Sequence, residues 1–149
     1  MFEAAELGRT IPSSDYKEEV LILRQQLLAL QDRLQDYDFP VIILFNGVDG
    51  AGKGETVNLL NEWLDPRGIV TRGFGESSDE ERERPPFWRF WRELPPRGRI
   101  GLFLSSWYSR PILDQVYGLT DTATFERRLS QIVNFERTLV EDGALPVSY

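Results

Sequence analysis

The feature that most constrains the fold is a short apolar strand followed at once by a glycine-rich turn. Pro40 precedes five consecutive apolar residues, Val41 to Phe45, which are typical of a strand buried on both faces of a sheet. The turn runs from Asn46 to Gly54, and an amphipathic helix pattern follows from Glu55 to Leu64. Strand, turn and helix in this order predict an α/β fold with a parallel sheet.

The turn matches the GxxxxGK pattern of phosphate-binding loops, reading Gly-Val-Asp-Gly-Ala-Gly-Lys from residue 47 to residue 53. Glycines let such a loop curl so that backbone N–H groups point at an anion, and the helix N-terminus adds partial positive charge. Lys53 adds a full charge, and the chain has only one other lysine against fifteen arginines. We therefore predict phosphate binding by Gly47, Gly50, Ala51, Gly52, Lys53 and Gly54. An ordinary strand-to-helix turn is the alternative.

The loop also contains a candidate metal ligand. Loops of this pattern usually carry Ser or Thr after the lysine to bind Mg²⁺, whereas this chain has Gly54 there. Thr56 lies two residues further on, so we expect it to point elsewhere on the helix. If Mg²⁺ binds, Asp49 is the best carboxylate in the loop. A turn residue that bonds its own backbone is the alternative for Asp49.

Further strands and helices are predicted along the chain. The patterns favour strands at 69–72, 100–104 and 144–147, although Pro146 fits poorly in a central strand. Helices are expected at 86–94, after Pro111, and from a cap at Thr122 or Thr124 to a stop at Gly143. Residues 73–84 are expected to form a polar, mobile loop. The prediction is a single domain over 1–149 with helices on both faces of the sheet.

Residues 1–38 are expected to form an N-terminal arm and a long helix. Asp15 is the predicted cap, with Glu18 completing a capping box, and the helix runs to about Asp36. Apolar residues at spacings of three and four (Val20, Leu23, Leu27, Leu30 and Leu34) predict a stripe that packs on the core. The same spacing also fits a short coiled-coil seam.

Composition limits the possible partners and chemistry. The net charge of −7 argues against a duplex nucleic-acid binder, whereas nine arginines against six acidic residues at 67–110 favour a small anionic ligand. Without His or Cys the chain offers no imidazole base and no thiolate ligand or nucleophile. The N-terminus does not resemble a signal peptide and no apolar run is long enough to span a membrane, so we expect a cytoplasmic protein.

Arginines and aromatic residues are concentrated between the second and third predicted strands. Five arginines lie within sixteen residues, at positions 84, 89, 92, 97 and 99. Arginine binds phosphate in a bidentate manner, and Trp88 and Trp91 can stack on a base. Helix packing with solvated arginines is the alternative.

Together with the segment Ser-Ser-Trp-Tyr-Ser-Arg at 105–110, the loop resembles the second polyphosphate kinase family, and within it the first half of the two-domain polyphosphate:AMP phosphotransferases. Matching stretches cover 16–34, 39–68, 78–101 and 106–111, and the resemblance fades after Leu145. It implies a P-loop kinase core and Mg²⁺-dependent transfer of a phosphoryl group from inorganic polyphosphate to AMP. It also implies catalytic roles for Asp49, Lys53 and Arg110, with Asp49 binding the metal ion.

Two departures from the family pattern leave other functions open. Active members carry Asp and Arg where this chain has Leu104 and Ser105, and leucine cannot bind Mg²⁺. The family pattern continues into lid helices, so the domain is expected to be incomplete at its C-terminus. The alternatives are a degenerate half-domain that serves as a scaffold or anion-binding partner of an active homologous domain, and an ATP-dependent kinase. A homo-oligomer, or association with an active homologous domain, is the expected assembly.

Overall fold

A computed structural model of the chain describes residues 11–47 and 50–149. Helices and strands alternate through most of this part of the chain. In chain order they are α1 (Ser13–Leu34), β1 (Val41–Phe45), α2 (Lys53–Trp63), β2 (Ile69–Gly73), α3 (Asp79–Glu83), α4 (Trp88–Trp91), β3 (Ile100–Leu104), α5 (Ser109–Val116), α6 (Thr122–Glu141) and β4 (Leu145–Ser148). Among the described helices, none is both long enough and apolar enough to cross a bilayer.

The four strands form one parallel sheet in the order β2-β3-β1-β4. The predicted parallel α/β architecture is therefore confirmed. Phe45 at the end of β1 lies opposite Leu104 at the end of β3. Because neighbouring parallel strands end at the same edge, the segments that follow β1 and β3 emerge side by side.

Each face of the sheet is covered by its own apolar core. On one face, Ile42 and Leu44 of β1 and Phe103 of β3 pack with Ile132 and Phe135 of α6. On the other face the buried residues come from α1, α2 and the sheet, and include Leu34, Val57, Phe45 and Leu102. Helices thus flank the sheet on both sides, as the sequence predicts.

Helix α1 differs from its prediction at both the cap and the stripe. It begins at Ser13 after Pro12, without a side-chain cap, so the predicted capping box of Asp15 and Glu18 is wrong. Asp15 instead lies inside the first turn, where a carboxylate is favoured by the helix dipole. The stripe is covered only in part: Leu34 is buried and Leu27 is partly buried against the core, whereas Leu23 and Leu30 are exposed.

Three other boundaries were predicted incorrectly. Segment 73–84 contains α3, which starts with a capping box between Ser78 and Glu81. Helix α5 begins at Ser109, ahead of Pro111, because proline is tolerated in the first turn of a helix. Asp121 caps α6 rather than Thr122 or Thr124, since its carboxylate accepts the Thr124 N–H at 2.8 Å.

Pro146 fits in β4 because its nitrogen lies on the side of the strand that does not pair with β1. Strand β4 pairs only with β1 among the described strands. The N–H groups of Leu145 and Tyr149 donate to carbonyls of Pro40 and Leu44, both at 2.9 Å. Because backbone directions alternate along a strand, the nitrogen of Pro146 faces away from β1 and no ladder hydrogen bond is lost.

Candidate functional site

The glycine-rich turn after β1 uses backbone conformations that favour glycine. Gly47, Gly50 and Gly52 have φ angles of +140°, +83° and +80°. Gly52 is also the residue before α2, and no side chain caps this helix. Gly52 therefore offers the N-terminal N–H groups of α2 no side-chain acceptor, and helix N-termini of this kind can bind an anion.

Lys53 folds back over this loop. Its ammonium group donates a hydrogen bond to the carbonyl of Gly47, and its Cδ lies 3.9 Å from where a Cβ on Gly47 would be. Around Gly54 the space is open. Thr56 donates its hydroxyl hydrogen to the Gly52 carbonyl at 3.0 Å, so it points into the helix backbone, as predicted. Asp49, the predicted metal ligand, lies outside the described residues.

A hydrogen-bonded serine joins the loop after β1 to the loop after β3. The Ser106 hydroxyl donates to Oδ1 of Asn46 at 2.6 Å, and Ser106 itself is buried. Its backbone N–H donates to the hydroxyl oxygen of Ser109 at 3.0 Å. The two predicted functional segments, 46–54 and 105–110, are thus adjacent and linked. Nothing in the sequence pattern marks Asn46 as the residue that makes this link.

The end of β3 lacks a metal ligand. Leu104 packs against the core that contains Val57, and its carbonyl accepts the Phe74 N–H at 2.9 Å. Ser105, the next residue, has a φ of +65°, which is unusual for a residue other than glycine. Within residues 11–47 and 50–149, no three carboxylate or other ligating side chains lie close enough together to hold a metal ion.

A cavity of about 920 Å³ opens beside the end of β3. One wall comes from the loop after β3, a second from segment 74–90, and a third from α6. Of the described residues 46, 47 and 50–54, none lines it. The lining includes the aromatic side chains of Phe74, Phe87, Trp88, Phe90 and Trp107, and five arginines at positions 82, 84, 89, 110 and 128.

The aromatic and arginine-rich segment contributes to the cavity only in part. Two guanidinium groups contact the ring of Trp88, that of Arg84 at 5.1 Å and that of Arg92 at 4.9 Å from the ring centroid. Trp91 instead packs edge-on against Phe135 of α6, at 5.0 Å. Arg97 is used structurally as well, since it pairs with Asp38 at 2.7 Å. Of the two tryptophans, Trp88 alone lines the cavity.

Arg89 shapes the wall formed by segment 74–90. Its guanidinium donates to the Gly75 carbonyl and to the Ser77 hydroxyl oxygen, both at 3.0 Å. Its Nε lies 3.5 Å from a carboxylate oxygen of Glu81, a residue of α3. These contacts hold residues 75–81 against α4, so Arg89 stabilises this wall of the cavity.

Arg110, a predicted catalytic residue, lines the cavity, and its guanidinium is paired with a carboxylate. Its Nε is 2.7 Å from Oδ1 of Asp114, one turn later in α5. The other carboxylate oxygen of Asp114 accepts a hydrogen bond from Arg128 of α6, also at 2.7 Å. Sequence analysis missed both partners. The spacing of four between Arg110 and Asp114 is a usable signal, whereas nothing local distinguishes Arg128 from Arg127.

A half-buried tyrosine, Tyr108, adds a contact between the same loop and α6. Burial, reinforced by the Glu136 carboxylate, raises the pKa of Tyr108 to about 12. The neighbouring Trp107 donates its indole N–H to Glu136 at 2.9 Å. Trp107 and Tyr108 therefore link the segment that carries Arg110 to Glu136 of α6, and both do so through neutral side chains.

Comparison with known proteins identifies relatives along nearly the whole chain. The family model for polyphosphate kinase 2 matches residues 10–149, beyond Leu145, where the sequence resemblance was expected to fade. A polyphosphate:AMP phosphotransferase from Pseudomonas aeruginosa is 51% identical over 146 residues, and one from Pseudomonas syringae pv. tomato is 43% identical. Each alignment covers 97% of this chain and 29% of the relative, so the chain spans less than a third of their length.

Solved structures described as polyphosphate kinase 2 also resemble this chain. A crystal structure described as a polyphosphate kinase 2 from Pseudomonas aeruginosa superposes with a TM-score of 0.92 at 50% identity. The match covers 99% of this chain and 32% of that one. The polyphosphate kinase 2 of Arthrobacter aurescens gives a TM-score of 0.85 at 29% identity, with 94% of this chain and 51% of that chain covered.

Proposed function

Because the chain belongs to the polyphosphate kinase 2 family, we propose that it serves in the transfer of a phosphoryl group from inorganic polyphosphate to AMP, giving ADP. Supporting this are the names of its two similar relatives, both polyphosphate:AMP phosphotransferases. The observation that carries the proposal is the placement of the glycine-rich loop beside an aromatic cavity rich in arginine. The Ser106–Asn46 hydrogen bond joins the two.

The two halves of the site suit the two substrates. The loop at 50–54, with Lys53 and the N-terminus of α2, suits the end of a polyphosphate chain. The cavity suits a nucleotide, because it combines Trp88 with arginines and has room for a small ligand. An oxygen of the AMP phosphate attacks the terminal phosphorus, and the bond to the bridging oxygen breaks to release a shortened polyphosphate. Lys53 and Arg110 offset the charge that develops.

Transfer of this kind needs no covalent enzyme intermediate. Alignment of donor and acceptor and electrostatic stabilisation supply most of the catalysis in phosphoryl transfer. We propose that Mg²⁺ is held by Asp49 together with phosphate oxygens, where it would neutralise charge on the bridging oxygens. Mg²⁺ is often held by one or two carboxylates with substrate phosphates, so a single protein ligand is compatible with its chemistry.

Lys53→Ala tests the role of the loop, and Lys17→Ala is a matched control because Lys17 is exposed on α1. We expect Lys53→Ala to weaken polyphosphate binding about tenfold or more, since it removes a charge-assisted contact. Calorimetric titration with polyphosphate measures the affinity, and ADP formation from AMP and polyphosphate measures turnover. Equal affinities in the two variants would contradict the proposal.

A second function is favoured by Leu104. Because Leu104 stands where the family resemblance implies a metal-binding aspartate, the chain alone suits an anion-binding scaffold for an active homologous domain. Saturable polyphosphate binding without ADP formation would support this function. ADP formation dependent on polyphosphate would support the phosphotransferase, and turnover with ATP as the only donor would indicate an ATP-dependent kinase instead.

A further inference from the structure

Asp114 is a buried carboxylate that the transfer reaction described above does not use. Its side chain is 8% exposed, and each of its oxygens lies 2.7 Å from a guanidinium group. One belongs to Arg110 on α5 and the other to Arg128 on α6. The carboxylate therefore links the two helices through a pair of arginines.

The two arginines face the cavity while the carboxylate lies behind them. Arg110 and Arg128 both line the cavity, and Asp114 does not. Arg110 is 69% exposed along its side chain and Arg128 is 35% exposed, so both remain accessible to a ligand. Each uses part of its guanidinium on Asp114, and guanidinium groups have five N–H donors, so donors remain for a second anion.

Charge also favours an anion at this place. Two guanidinium groups share one carboxylate, which leaves a net charge of +1 among the three side chains. Their fixed geometry lowers the entropic cost of binding, because the arginines are already held in place. A dianionic phosphate monoester would complete the cluster.

Resting on the function proposed above, we infer that Arg128 and Arg110 together bind the phosphate of the acceptor nucleotide, with Asp114 as their positioning residue. The nucleotide is placed here because these arginines share the cavity with Trp88, on which a base can stack. None of the described phosphate-loop residues lines this cavity. Arg128 thus discriminates a nucleoside monophosphate from a nucleoside.

Arg128→Gln is the principal test, and Arg127→Gln is its matched control. Arg127 is adjacent on the same helix, but it is exposed and its guanidinium donates to the Thr124 hydroxyl oxygen. We expect Arg128→Gln to weaken AMP binding about tenfold or more, because a charge-assisted contact is lost. Adenosine and polyphosphate affinities should stay close to wild type, and Arg127→Gln should leave all three unchanged.

Asp114→Asn tests the positioning role. It should weaken AMP binding while leaving adenosine binding unchanged, whereas a purely structural defect would reduce both. In a double-mutant cycle, Asp114→Asn should cost less AMP affinity in the Arg128→Gln background than in wild type. Thermal unfolding of each variant shows whether the fold is retained, and Arg128→Gln tests the inference independently if Asp114→Asn does not fold.

The outcomes separate this inference from the proposed function. Unchanged AMP affinity in Arg128→Gln, or a loss confined to polyphosphate, overturns the inference. If wild type binds polyphosphate through Lys53 while Arg128→Gln binds AMP normally, the function stands and the inference fails. If wild type binds neither AMP nor polyphosphate, the proposed function fails.

Discussion

Leu104 and Ser105 are adjacent residues at the end of β3, and each affects a different property of the site. Leu104 places a hydrocarbon side chain where a metal ligand is expected, and Ser105 holds a left-handed backbone conformation. We expect the double change Leu104→Asp with Ser105→Arg to raise any ADP formation by the chain, since a bound metal ion can neutralise developing charge.

The same double variant should be less stable than wild type, by about 1–3 kcal/mol, because a carboxylate replaces a partly buried apolar side chain. Urea unfolding measures the loss, and the ADP assay measures the rate. An unchanged rate in a folded double variant would show that the lost carboxylate does not limit catalysis.

Two residues with positive φ around the cavity should respond in opposite ways to glycine. Ser105→Gly should stabilise the chain by about 1 kcal/mol, because glycine adopts this conformation without steric cost. Phe87 has a φ of +66°, but its ring stacks on Phe135 at 4.5 Å. Phe87→Gly should therefore destabilise it, by about 2 kcal/mol. Thermal unfolding of both variants tests this contrast, which fails if the two shifts have the same sign.

At the scale of elements, Gln31 fastens α1 to the turn after α2. Gln31 is 3% exposed, accepts the Asp65 N–H at 2.7 Å and donates to the Asp65 carbonyl at 2.8 Å. Gln31→Leu should cost about 1–3 kcal/mol, because it leaves the Asp65 N–H without its partner. The Asp65 carbonyl keeps the Gly68 N–H, at 2.9 Å. Gln25→Leu, at an exposed position of the same helix, is the control. Similar urea midpoints for the two variants would contradict this.

The attachment of the loop after β3 to α6 predicts a pH dependence. Burial first, and the Glu136 carboxylate second, raise the pKa of Tyr108 from 10.0 to about 12. Between these values the unfolded chain releases the proton and the folded chain keeps it, so stability falls as the pH rises. The free energy of unfolding, measured with urea below pH 10 and again between pH 10 and pH 12, should fall less in Tyr108→Phe than in wild type. An equal loss in both would refute this assignment.

At the scale of the whole molecule, short-range patterns predict the sheet and the loop better than the contacts between helices. Val41–Phe45 and the loop glycines are local signals, and both are present in the structure. Gln31 lies buried beside an apolar stripe, and Arg128 has the same local surroundings as Arg127. Their roles depend on Asp65 and Asp114, which are distant in sequence. Such pairings are fixed by tertiary packing and leave no periodic pattern.

The exposed apolar side chains of α1 predict association. Leu21, Ile22 and Leu30 are 62%, 50% and 60% exposed, and Leu23 is 42% exposed. We expect the chain to associate, with itself or with a homologous domain, through this helix, because a large exposed apolar patch favours an interface. Leu23→Glu with Leu30→Glu should shift sedimentation towards the monomer, relative to Arg24→Glu. A wild type that sediments as a monomer at all concentrations would disprove self-association.

The orientation of Pro146 limits how the sheet can grow. A foreign strand that added beside β4 would find no amide hydrogen at residue 146, and the next N–H of β4 that faces away from β1 belongs to Ser148. Each added strand would begin with a missing rung, and stacking of many copies in register would be disfavoured. Pro146 therefore costs β4 no hydrogen bond to β1, and it makes the opposite side of the strand a poorer template for a further strand.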